Sequence, residues 1–136
     1  MSTLAVQRLG RRAKLFLALE IVSAYLQVRR LRGAPLPAVL RTLRSENPLD
    51  SEPTTVEDAL RLGRAVRRTL ALLPADTRCL TQSLVLTKLL SRRGLASELV
   101  IGVDHGETFA AHAWVERDRV PLLPPLEHRF ERLARL

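Results

Sequence analysis

The apolar residues of this chain change their period once, and that change limits the folds open to it. From Ala5 to Gly94 they recur at helical spacing, and from Glu98 onward they alternate or run in short strand-like blocks. A chain of 136 residues ordered in this way is expected to form one domain, residues 1–136, of the α+β class. An antiparallel sheet follows an all-helical lead. Aromatic residues make up only 4%, so the core must be built mostly from Leu, Val and Ala.

In the lead, Ala5 to about Arg32 reads as one helix. Glu20, Ser23, Gln27 and Arg30 form a narrow polar stripe on an otherwise apolar cylinder, as expected of a helix covered by its own protein or by a partner. Gly33 and Pro35 end it, and Pro37 can open a second helix to about Arg44. Asn47 to Pro53 reads as a loop. Thr54 or Thr55 can cap a third helix, with Glu57 and Asp58 in capping-box register. There Glu57, Arg61, Arg64 and Arg68 form an exposed face. Val56, Leu60, Leu62, Val66, Leu70 and Leu73 form the buried side, and Pro74 stops the helix. A fourth helix is expected over Arg78–Arg93, closed by Gly94 in a left-handed cap. Glu98–Val103, Phe109–Glu116 and Val120–Leu123 read as strands. The last is an edge strand because Pro121 has no N–H for a ladder, and it follows a tight turn at Arg117–Arg119. The tail from Leu126 to Leu136 reads as a helical turn or two.

Composition narrows the chemistry. The net charge of +8 favours acidic partners. A non-catalytic basic module that binds nucleic acid or a membrane surface is therefore one reading to weigh. The most apolar stretch, Leu15–Val28, contains Glu20, Ser23 and Gln27 and falls short of the ~20 residues that span a bilayer, so no membrane span is expected. One cysteine excludes an internal disulfide framework and, with three histidines, a Cys-rich zinc site. No metal is expected, and without a phosphate-cradling Gly-rich loop no nucleotide cofactor. A reducing, cytoplasmic setting fits.

The cysteine stands where chemistry is possible. Cys79 falls in the first turn of a helix that Asp76 or Thr77 would cap, where free N–H groups and the positive dipole end favour a thiolate. The plain alternative is a small buried hydrophobe. His112, mid-strand between alanines, shares a strand face with Trp114 and Glu116, while Ala111, Ala113 and Val115 take the other. If its face meets the helix bearing Cys79, it can take the thiol proton and later protonate a leaving amine. The plain alternative here is a core histidine satisfied by hydrogen bonds. His105 and His128 fall in loop-like or terminal sequence. A third group could hold the ring: Asp118 in the turn, Glu116 ~13 Å along the strand, or Glu127 folding back. The residues alone do not choose among them.

Cys79 with the segment to Gly94, then Leu99–Val103, then Phe109–Glu116, resembles in order and spacing the transglutaminase-like cysteine peptidases of lasso-peptide biosynthesis, in their stand-alone leader-peptidase form. The resemblance covers roughly Leu73 to Leu136. It implies a papain/transglutaminase-like core over 74–136 behind a helical subregion of 1–73, and hydrolysis that removes a leader from a ribosomally made precursor. It implies Cys79 as nucleophile and His112 as base and acid. The family's acid lies about a dozen residues past the histidine. Here that window, Leu122–Pro125, holds none; Glu127 is the candidate, and a Cys–His dyad without a third group is the alternative. The implied partners are the precursor peptide, a separate leader-recognition protein and a cyclase that takes the freed amine. Ala5–Arg32 is a candidate docking surface, its alternative a helix that completes the core. An acyl or amide transferase on the same scaffold would need the same two residues.

Overall fold

The computed structural model describes residues 10–44, 55–72, 79–104, 110–122 and 131–136. Among them are helices α1 (Arg11–Arg30), α2 (Leu36–Arg44), α3 (Val56–Ala71) and α4 (Cys79–Arg92). The strands are β1 (Glu98–Asp104), β2 (Ala110–Arg117), β3 (Val120–Pro121) and β4 (Glu131–Arg135). All pairings are antiparallel, in the order β3-β2-β1-β4. The α+β class expected from the period change is the observed one.

Helix α4 is the centre. Ser83 through Leu90 are all buried, the mark of a helix enclosed on every side. It packs against α1, α2, α3, β1 and β2. Two of its buried hydroxyls are met within the helix: Ser83 Oγ lies 2.7 Å from Cys79 O, and Thr87 Oγ1 donates to Ser83 O at 2.8 Å. Gly94 adopts φ +73° at the helix exit, as a left-handed cap requires. Helix α3 begins on a capping box, with Thr55 Oγ1 accepting from Asp58 N–H and Asp58 Oδ2 accepting from Thr55 N–H. Its Glu57, Arg61, Arg64 and Arg68 face solvent, and Leu62, Val66 and Leu70 are buried. Val56, expected inside, is exposed and Leu60 only half-buried. Ala59 and Gly63 take the inner positions instead, because small residues let α3 approach its neighbours. Helix α1 buries Ile21, Ala24, Tyr25 and Val28. Its Glu20 grips Arg93 with both oxygens, at 2.7 and 3.2 Å. Its own protein covers only part of it: Leu15, Phe16, Leu19 and Leu26 face solvent.

The sheet shows one larger difference from the sequence reading. The end of the tail is strand β4, not helix. Leu136 and Leu99 exchange both backbone hydrogen bonds at 2.8 Å, and β4 runs on to pair with β1 up to Val103↔Glu131. A helix there would have left the N–H and C=O groups on that side of β1 without a ladder. At the other edge, Asp118 and Arg119 both take positive φ, the two-residue turn that matches strand twist, and β3 is an edge strand as expected. The readings for Asn47–Pro53, Thr54, Leu73, Pro74, Asp76, Thr77, His105, Glu127 and His128 fall outside the described residues.

Candidate active site

Strand register sorts β2 into two faces. Ala113 and Val115, with Leu99 and Ile101 opposite them on β1, join the core cluster around α4. His112, Trp114 and Glu116 occupy the other face, level with Gly102, Val100 and Glu98. The face that meets the cysteine-bearing helix is therefore the alanine and valine face, not the histidine face. The reason is steric and electrostatic: small apolar side chains fit against a Leu-rich helix, whereas a carboxylate two positions from an indole does not.

Cys79 nonetheless comes to the backbone of β2 next to His112. Ala113 and Val115 point their backbone polar groups away from β1, toward the side that β3 occupies, where Leu122 N–H donates to Val115 O at 2.9 Å. Beside Ala113, that side of β2 is met by the first turn of α4. Ala113 N–H donates to Cys79 Sγ at 3.4 Å, and Ser83 Oγ lies 3.2 Å from Ala113 O. The sulfur thus sits beside the backbone of β2, between its two faces. Standard backbone dimensions put it within about 6 Å of the His112 Cα. Cys79 is half-buried rather than sealed.

On the far face the ring is backed by an organised cluster. The His112 and Trp114 rings stack with centroids 5.9 Å apart and planes 24° from parallel. Trp114 Nε1–H donates to Glu116 Oε2 at 2.7 Å, and Arg132 Nη2 donates to the same oxygen at 2.8 Å. Arg135 Nη2 stands 3.7 Å from Glu116 Oε1. Glu116 is 1% exposed. Burial alone would raise its carboxyl, but the hydrogen bonds from Trp114 and Arg132 and the charges of Arg132 and Arg135 outweigh that and hold it below the ordinary carboxylate range. Burial lowers the His112 imidazole below its ordinary value, so the ring is neutral near pH 7 and able to accept a proton.

Of the residues singled out from sequence, Cys79 and His112 flank one backbone amide. Glu116 lies behind the indole, and Asp118 is exposed in the hairpin turn. Sequence reasoning missed Ser83, Arg132 and Arg135. The two arginines share a face with Glu116 only once the tail is known to be a strand. Among the described residues no three His, Cys, Asp or Glu side chains gather closely enough to hold a metal ion.

The transglutaminase-like superfamily matches residues 18–135, taking in the helical lead as well as the cysteine and histidine segments. No curated protein and no solved structure matches the chain. A thiol at a helix start, an imidazole on the adjoining strand and a family match over most of the sequence agree: the chain belongs to the transglutaminase-like superfamily, which includes cysteine-dependent peptidases and transferases.

Proposed function

We propose that this protein is a cysteine peptidase that removes the leader from a ribosomally synthesised lasso precursor, with Cys79 as nucleophile and His112 as general base and acid. The observation that carries the reading is the Ala113 amide, which donates to the sulfur and stands one residue from His112. His112 takes the thiol proton, and the sulfur attacks the scissile carbonyl carbon. The imidazolium then gives its proton to the departing amine, leaving the leader as a thioester on Cys79. Water, deprotonated by the same ring, attacks the thioester; the products are a leader carboxylate and the restored thiol. The free amine of the core peptide is then available to a separate cyclase.

Ring orientation falls to two candidates. Glu127 is the candidate for a direct carboxylate partner. Glu116 acts at one remove, fixing the indole on which the imidazole rests. Replacing each by Gln separates them: loss of the direct partner lowers kcat with the fold unchanged, whereas loss of Glu116 also lowers thermal stability. The substrate is delivered by a separate leader-recognition protein.

The test is incubation of the full chain with a leader–core precursor and its recognition protein, read by intact mass. The expected products are a leader with a free carboxylate and a core with a free amine, both absent with folded Cys79→Ala or His112→Ala. Retained cleavage in either variant refutes the assignment. A leader bearing an added amine instead of a carboxylate identifies the transferase, the other activity class of this superfamily.

A further inference from the structure

The outward side of α1 has the form of a contact surface. Its inward side, Ile21, Ala24, Tyr25 and Val28, completes the core. Opposite, Leu15 is 59%, Leu19 56% and Leu26 45% exposed, with Val22 part-exposed between them. A helix with one apolar side in the core would ordinarily carry polar residues there. Spacings of four, three and four residues instead make a straight seam about 17 Å long, the pattern with which one helix meets another side by side. Phe16, 69% exposed, borders it.

The charges around the seam select the occupant. Arg11 and Arg12 stand at one end and Arg29 and Arg30 at the other, all exposed. The only acid of α1, Glu20, is turned to Arg93. A second copy of the chain would bring arginines against arginines in either orientation, a juxtaposition that disfavours pairing. A bilayer surface suits a broad apolar face, whereas here a single row of aliphatic residues, with Phe16 beside one end, runs between the arginine pairs. We propose that the outer face of α1 docks an acidic amphipathic helix of a partner protein. Leucine or isoleucine of that helix would lie along Leu15, Leu19, Val22 and Leu26, with Glu or Asp at both ends against the arginine pairs. The proposal stands apart from the catalytic reading.

The experiment titrates the full chain with a synthetic three-heptad peptide bearing leucine at its seam positions and glutamate beside them. The same peptide with lysine in place of glutamate is the control, and phosphatidylserine–phosphatidylcholine vesicles are a separate arm. Expected is saturable one-to-one binding of the glutamate peptide and none of the lysine peptide. Leu19→Ser with Leu26→Ser should weaken binding about tenfold or more at an unchanged melting temperature. Arg12→Gln with Arg30→Gln should weaken it too and flatten its dependence on salt. No binding of the glutamate peptide, equal binding of the lysine peptide, binding to vesicles alone, or self-association of the free chain overturns the proposal. So does collapse of the fold in the leucine double variant, which would make the seam part of the core.

Discussion

Glu116→Gln tests how the far face of the sheet is held. Glutamine keeps the shape and can still accept from Trp114 Nε1–H, but it removes the charge that Arg132 meets at 2.8 Å and Arg135 at 3.7 Å. It also turns an amide donor toward guanidinium groups that only donate. Removing one partner of a fully buried pair costs about 3–5 kcal/mol. Here the two arginine side chains are 49% and 41% exposed, so water resolvates them and the expected cost is about 1–2 kcal/mol. For a chain of this length that lowers Tm by roughly 3–10 °C at pH 7. The sign with pH follows from the depressed carboxyl. Its stabilisation is fully present above the ordinary value of 4.5 and is lost as pH falls through the lower folded value. Melts followed by circular dichroism should therefore separate wild type from variant at pH 7 and bring them together on strong acidification. Equal Tm values at pH 7, or a gap that widens in acid, would refute the network as described.

Gly94→Ala places a Cβ at φ +73° and should cost about 1 kcal/mol, seen as a lower Tm with an unchanged helical signal. Glu20→Gln, which breaks the part-buried fork with Arg93 between α1 and α4, should cost about 1 kcal/mol, most of it visible at low salt. Leu86→Ala, in a fully buried position of α4, should cost about 2–5 kcal/mol through the cavity it leaves, measured by urea unfolding.

What the sequence made legible followed from local rules. The capping box at Thr55 and Asp58, the left-handed exit at Gly94, the turn at Asp118–Arg119 and the edge position of Pro121 each depend on residues within a few positions of one another. The β4 strand was hidden because its pairing partner, β1, lies some thirty residues earlier in the chain and its own residues, Glu-Arg-Leu-Ala-Arg, carry a weak alternation. The face of His112 was half legible. Period two grouped it correctly with Trp114 and Glu116, but the choice of face depends on what α4 can pack against, and that is a tertiary matter. The parity of Ala113 and Val115 was the available signal. For helix α1 the sequence leaves open whether its own protein or a partner covers the apolar sides, because hydrophobic content carries no direction. Once Ile21 and Tyr25 are fixed inward, Leu15 and Leu19 must point out.

The most direct test of the central claim, that the Cys79 sulfur and the His112 imidazole act on each other round the edge of β2, is the rate of Cys79 alkylation by iodoacetamide against pH. With the imidazole held below its ordinary 6.5, the wild-type rate should rise through an inflection below that value, and His112→Ala should lose that inflection. Superimposable profiles for the two proteins, both folded, would contradict the account.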